Sequence, residues 1–355
     1  MSEISAVRWT SFSALPRAHG EPLGQGRLRV VPEDFQVEEH LGFEPDGEGD
    51  HLLLWVRKTG ANTEWVARKL AALAGVQGSA VGYAGLKDRH AVTAQWFSVP
   101  RPRQGLPDWS ELNAFGIEVR EVHAHRRKLR RGALQGNRFR IRVRDVGLDP
   151  ERLRECAAAI AGSGVPNYFG AQRFGRDDAN LIHAGELFSG AARRVPRHLR
   201  GLWLSAARSQ IFNQVLAARV ERGDWDRPLD GDCLQLDGSH SFFLAERIDE
   251  TLEERSRRMD LHPTGPLWGR GDLPTQGAVR SAEEAAAMPF EGWTAGLAAA
   301  GMDQERRALR LPVSDLEVES DTRDLLVAFY LSAGSYATAV LREFVDCFEE
   351  RAAEA

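Results

Sequence analysis

From Arg138 to Arg144 every second residue is an arginine, and Phe139, Ile141 and Val143 fill the places between. That period of two predicts a strand with one apolar and one cationic face. Apolar runs elsewhere predict more strands: RLRVVPEDFQVEEH over 27–40, interrupted at Pro32, HLLLWVRK from His51, and the pair LPVSDLEVES and DLLVAFYLSAG beyond residue 310. Residues 82–99, GYAGLKDRHAVTAQWFSV, predict two strands joined by a tight loop with Asp88 at its apex. A longer period marks the helices. Val66, Leu70 and Leu73 share a stripe between a cap at Asn62 or Thr63 and a stop at Gly75. Asp149 and Pro150 start a helix that ends near Gly162. Ser205 is expected to cap a helix running to Arg222, and residues 280–310 to be mostly helical. Ser335 is expected to cap a last helix with Val340, Leu341, Phe344, Val345 and Phe348 on its core stripe. Residues 229–280 read as Gly-rich strand and turn. Between 162 and 180 neither period holds, and a long irregular stretch in a compact chain is usually functional or a linker.

Composition adds a frame. The chain has 355 residues, 43% of them hydrophobic and 27% charged, enough for two domains of ordinary globular make-up. No run approaches the roughly eighteen apolar residues of a membrane span. The N-terminal MSEISAVRWTSFSALP lacks the basic start and apolar core of a secretory signal, so a cytoplasmic location is expected. Cys156, Cys233 and Cys347 are far apart, which points to reduced thiols and neither a disulfide framework nor a CxxC metal knuckle. His123 and His125 lack a ligand pattern and read as a solvated strand, not a metal site. GxxxxGK, GxGxxG and the zinc-deaminase signature are absent.

Charge changes the picture more. Residues 120–144 hold ten Lys and Arg against one Glu, a local +9 on a chain whose net charge is −5. One basic patch on an acidic protein is the footprint of a polyanion-binding face. Arg138, Arg140, Arg142 and Arg144 share a strand face, where like charges repel unless an anion lies across them. An RNA phosphate backbone is the expected anion. Asp88, flanked by Lys87, Arg89 and His90, is a carboxylate among cations, which favours its charged form and suits a nucleophile or fixed anion. Asp is also a favoured turn residue, and charged neighbours are common in loops. The residues alone thus give an α/β protein compatible with a nucleic-acid enzyme.

Longer motifs say more. GYAGLKDRHAVTAQWFSV, with PEDFQVEE, FEPDGEGDH, GALQGNRF, VPNYFGAQRFG, LSAARSQIFNQ and FYLSAGSYATAVLREF, closely resembles the TruD family of tRNA pseudouridine synthases, in family order from about residue 27 to 344. The resemblance implies an α/β (α+β) fold: a pseudouridine-synthase catalytic sheet domain flanked by helices, over 1–163 and 312–355. An inserted family-specific α/β domain, 164–311, would interrupt it, with a cleft between the two. It implies isomerisation of uridine to pseudouridine at position 13 in the D arm of tRNA, with no cofactor and no metal. The expected protein is a monomer whose partner is tRNA.

Residue by residue, the resemblance makes Asp88 of GLKD the catalytic aspartate. It makes Phe35 of PEDF, Asn137 and Phe139 of GNRF, and Phe329 substrate-contact residues, because an extruded base is held on aromatic faces and through its edges. Arg342 is the candidate cation partner of Asp88, with Lys87 and Arg89 as competitors. Tyr168, Phe169, Gln172, Arg173 and Phe174 are expected to shape the cleft. One departure is Ser332, where Pro is expected. Two other readings share these residues. A non-catalytic tRNA-binding protein on the same fold would leave uridine unchanged, and an RNA base glycosylase would release free uracil.

Overall fold

The alternating arginine stretch is a strand, and a ten-stranded sheet is built around it. A computed structural model of the chain describes residues 7–103, 105–192, 194–321 and 323–349. The sheet contains β1 (Gln25–Leu28), β2 (Phe35–Leu41), β3 (His51–Thr59), β4 (Gly82–Tyr83), β5 (Val92–Pro100), β6 (Ile117–His125) and β7 (Leu134–Arg144). Three further strands are Ser314–Ser320, Leu325–Ser332 and Asp346–Phe348. The main path runs Ser314–Ser320, Leu325–Ser332, β7, β2, β5, β3, β6, with β2 and β5 parallel and the other neighbours antiparallel. β1 pairs with the C-terminal end of β7, so β1 and β2 follow one another along the same edge of that strand.

The period of two decides which residues meet. Phe139 lies in register between Val37 and Phe329, and Ile141 between Phe35 and Val327, and all six are buried. The helix α1 (Thr63–Leu73) packs Val66 and Leu70 on Leu52, Leu54, Val56 and Phe97. Asn62 caps it by accepting from the Trp65 amide at 2.8 Å.

The described residues fall into two compact units. This sheet belongs to Pro22–Ala157, Val313–Gly334 and the residues from Phe344 on. The other unit takes the residues up to Glu21, Ala158–Pro312 and Ser335–Glu343. It is built on the Arg197–Arg222 helix, whose Ile211, Phe212 and Leu216 pack with Tyr168, Phe169, Phe174 and Leu309. It also holds a four-stranded sheet in the order Phe242–Ala245, Asp232–Leu236, Leu261–Leu267, Glu305–Ala308. Among the described residues no helix is long and apolar enough to cross a membrane.

Several expectations need correction. The domain limits 1–163, 164–311 and 312–355 differ from these units, which group the residues up to Glu21 and Ser335–Glu343 with 158–312. Arg342 explains part of this, because its guanidinium bonds the carbonyls of Leu15 and Pro16. Residues 1–6 and 350–355 of the expected domains lie outside the described residues. The link from β4 to β5 is an eight-residue loop, 84–91, not a tight turn. Ser205 is internal to its helix, which begins at Arg197 and buries Leu204 a turn earlier than expected. A charged helix, Glu250–Arg257, stands within the supposed strand-and-turn region, capped by Asp249. The helical reading of 280–310 ends at Ala299, after which Glu305–Ala308 and Arg310–Leu311 are strands. The last helix is Ala337–Phe344, and Phe348 is exposed on the strand that pairs with β1.

Gly136 on β7 shows how closely the strands approach. A Cβ there would lie 2.4 Å from the Leu331 carbonyl oxygen and 2.4 Å from Tyr330 Cζ. Backbone cannot yield as a side-chain tip can. Gly136→Ala is expected to cost about 2–3 kcal/mol, read as a lower urea midpoint. Gly42→Ala, whose nearest neighbour would be 3.6 Å away, is expected to stay within about 0.5 kcal/mol.

Candidate active site

Loop 84–91 belongs to neither strand ladder, so its polar backbone groups need partners elsewhere. The Ala84 carbonyl accepts from the Gly132 amide at 2.8 Å. The Gly85 carbonyl accepts from Gln95 Nε2 at 3.3 Å. The Lys87 amide donates to Thr63 Oγ1 at 2.9 Å, and Thr63 Oγ1 donates to Gln95 Oε1 at 2.9 Å. The Asp88 carbonyl accepts from Lys58 Nζ at 2.9 Å. Loop and strands are thus sewn together by side chains from β3, α1 and β5.

This sewing presents Asp88. Its side chain is 31% exposed. Oδ1 accepts from the His90 amide at 2.9 Å, and Oδ2 lies 3.3 Å from Arg29 Nη2. Arg29 is therefore the cation partner, and it was not among the sequence candidates. Its side chain is largely buried, lies 4.2 Å over the Phe35 ring, and also pairs with Glu349. Its backbone has φ 57°, the left-handed region a non-glycine residue enters only at a cost of about 1–3 kcal/mol. Such a conformation in the turn between β1 and β2 aims the guanidinium at Asp88. The available signal in the sequence was a basic residue three places before the Pro-Glu-Asp-Phe turn, which spacing alone does not connect to residue 88.

The three proposed partners have other employment. Lys87 Nζ donates to Glu39 Oε2 at 2.6 Å in a buried pair, and Glu39 Oε1 also accepts from the Trp96 amide at 3.3 Å. Arg89 Nε donates to the Gly60 carbonyl at 3.3 Å. Arg342 donates from Nη2 to the Leu15 carbonyl at 2.5 Å and from Nη1 to the Pro16 carbonyl at 3.0 Å, beside Glu343. Neither Arg342 nor Lys87 is the partner of Asp88. A buried guanidinium satisfies carbonyls where the chain provides them, and the last helix supplies Arg342 to the N-terminal segment.

Phe35, Glu39, Asn137, Phe139 and Phe329 share the same sheet face by register. Phe35 and Phe139 meet edge-on with centroids 6.3 Å apart, and Phe139 and Phe329 are 5.4 Å apart. Phe329 is fully buried and backs Phe139, so in this structure it supports the aromatic wall and does not offer a surface. Asn137 Oδ1 is buried without a hydrogen-bond partner among the described residues. An orphan acceptor is costly, and a bound group with a donor is one way to complete it.

The arginine row is a second correction. It lies on the opposite face from Phe139, and the protein supplies its own anions. Arg144 binds Asp34 through two nitrogens at 2.8 and 2.9 Å, and this guanidinium holds the Asp34 carboxyl below the usual carboxylate range against the effect of burial. Arg142 pairs with Asp324 at 3.1 Å, and Arg138 with Asp315 and Glu317 at 3.4 and 3.6 Å. Only Arg140 has no ion pair among the described residues. The mutual repulsion that called for phosphate is relieved by neighbouring strands and turns. The open cations lie instead in the loop from β6 to β7. Arg127, Lys128, Arg130 and Arg131 are exposed with no ion pair among the described residues, and Leu129 anchors the loop by its burial and its amide bond to Ser98 Oγ. Of the residues expected to shape a cleft, Tyr168, Phe169 and Phe174 are core, Gln172 is exposed, and Arg173 bonds Ser205 Oγ at 3.2 Å. His123 and His125 pair with Glu121 and Asp46.

Comparison with known proteins gives this arrangement a lineage. The family model described as tRNA pseudouridine synthase D (TruD) matches residues 18–187 and 178–344. A Methylococcus capsulatus protein named tRNA pseudouridine synthase D is 51% identical over 338 residues, covering 94% of this chain and 95% of its own. A Nitrosococcus oceani protein of the same name is 49% identical over 327 residues, covering 91% of each. A crystal structure from Methanosarcina mazei, described as a candidate tRNA pseudouridine synthase D, has a TM-score of 0.71 over 93% of this chain and 95% of that one. Its 24% identity makes it a match of fold. The chain belongs to the tRNA pseudouridine synthase D (TruD) family.

Proposed function

We propose that this protein isomerises uridine to pseudouridine in tRNA, at position 13 of the D arm, with Asp88 as the catalytic carboxylate. The observation that carries the reading is the state of Asp88: part-exposed, one oxygen on the His90 amide and the other on Arg29. Family membership supports the reaction, and the motif resemblance supports the position. In the reaction the C1′–N1 bond breaks, a C1′–C5 bond forms, the proton on C5 leaves to solvent, and N1 takes one up. A carboxylate can serve by attack on the sugar or base, or by removing a ribose proton. Each role needs an oxygen held in one direction, which the His90 amide and the Arg29 guanidinium provide.

The target base must leave its stack to reach such a group. Phe35 and Phe139 are proposed to face it, backed by Phe329, with Asn137 Oδ1 free to accept from the uracil N3–H. Phosphates are assigned to the Arg127–Arg131 loop, joined to the Asp88 loop through the Gly132–Ala84 bond. They are not assigned to Arg138, Arg140, Arg142 and Arg144, which lie on the other face.

The first test is release of tritium from tRNA labelled at uridine C5. Wild type is expected to release it. Asp88→Ala is expected to release none while still binding tRNA, and Arg29→Met to slow release about 100-fold with little change in affinity. Uracil set free in place of pseudouridine would favour a glycosylase, and no release by wild type a binding protein. The second test is the salt dependence of binding. Arg127→Glu with Arg130→Glu is expected to weaken binding and lower the log–log salt slope by about 1–2. Arg138→Glu with Arg140→Glu is expected to leave the slope unchanged.

A further inference from the structure

Lys58, at the end of β3, is fully buried, and among the described residues no carboxylate lies within ion-pair distance of it. A lysine is almost never so placed unless paired, because desolvation of the ammonium is costly. Its Nζ donates to two backbone carbonyls, Ala61 at 2.6 Å and Asp88 at 2.9 Å. Its register neighbours are Thr93 on β5 and Ile117 on β6. Packing alone would be served better here by an apolar side chain of similar volume. The lysine does something a methionine would not.

We propose that Lys58 is a positioning residue for the reaction, its buried ammonium fixing the peptide of Asp88 and thereby the direction of the Asp88 carboxylate. The proposal rests on the reading of Asp88 as catalytic. Two adjacent points of the loop are clamped at once: the Lys87 amide by Thr63 Oγ1 and the Asp88 carbonyl by Lys58. With both held, the 87–88 backbone cannot rotate, and the Cα–Cβ bond of Asp88 keeps one orientation. The ammonium charge also attracts the Asp88 carboxylate from behind.

The charge environment gives the proposal a distinctive consequence. Burial lowers Lys58 to about 8, Asp88 opposes that shift, and Lys87 adds to it. Thr93, Ile117 and Thr63, on the neighbouring elements, bring no charge, while Arg89 adds a third cation to the loop. The folded value lies below the unfolded value of about 10.4. The folded state therefore gives up this proton first, and folding stability is lowest below pH 8 and rises as pH climbs between the two values. Activity should move the other way, because the neutral amine binds the two carbonyls more weakly and loses its hold on the carboxylate.

The test is single-turnover tritium release at saturating tRNA between pH 6.5 and 10, with urea midpoints on the same proteins. Wild type is expected to lose rate above an apparent pKa near 8 while its urea midpoint holds or rises. Lys58→Met is expected to fold with a somewhat lower urea midpoint, from the two carbonyls left without a donor, to react about 10- to 100-fold more slowly, and to bind tRNA within about twofold of wild type. Lys58→Arg, which cannot lose its charge, should lack the limb near pH 8. A Lys58→Met rate within twofold of wild type overturns the proposal, as does a wild-type profile flat from pH 7 to 9. Should Lys58→Met fail to fold, its expected stability is refuted and the lysine is structural. If Asp88→Ala also reacts normally, the functional reading itself falls; if only Lys58→Met does, that reading stands.

Discussion

The loop that presents Asp88 has no strand ladder to hold it, and the structure depends on how that constraint is met. The peptide groups of residues 84–88 are fixed by Gly132, Gln95, Thr63 and Lys58, from a neighbouring loop, a strand, a helix start and a strand end. The placement of β3, α1 and β5 follows from ordinary burial of Leu54, Val56, Val66, Leu70 and Phe97. Apolar packing therefore sets the positions of three of these polar groups, and they in turn hold the segment that bears Asp88. The same logic explains why Lys87 is directed to Glu39: a buried carboxylate without a cation would cost more than any gain from placing both cations beside Asp88.

β7 separates two tasks by its pleat. One face contributes Asn137, Phe139 and Ile141 to the site and core, and the other contributes the arginines. A single strand cannot lay a base on its first face and the adjoining phosphates on its second. The acidic residues of Ser314–Ser320, together with Asp34 and Asp324, make the arginine face an internal ladder of ion pairs. Most of these pairs are partly exposed and each contributes little to stability. Their consequence is electrostatic: they neutralise most of the charge of the arginine row within the protein itself.

Legibility in the sequence followed the range of the interaction. Period and caps revealed β7, α1 and the strand pair after residue 310, because those signals span a few neighbouring residues. Asp88 was legible through its motif. The partner of Asp88 was not, since Arg29 and Asp88 are 59 places apart and meet only when β1 enters the sheet. The neutralising of Arg138, Arg142 and Arg144 was hidden for the same reason, with anions drawn from residues 34, 315, 317 and 324. Lys58 gave no sign at all. In HLLLWVRKTG it follows a strand pattern at a position where a terminal lysine would ordinarily reach solvent, and it is buried in contact with loop 84–91, a segment distant in sequence.

The features that favour chemistry here are ones that oppose stability. Arg29 holds a left-handed backbone, Lys58 a desolvated ammonium, and Asn137 an acceptor without a donor. Each is unfavourable by itself, and all three lie on the site face or in the segments that frame Asp88. The surrounding sheet, with Phe139, Ile141, Val327 and Phe329 buried in register, is what holds these three in place. A buried β core and a strained polar segment thus belong together: the first supplies the free energy that lets Arg29, Lys58 and Asn137 keep unfavourable arrangements in the segments that frame Asp88.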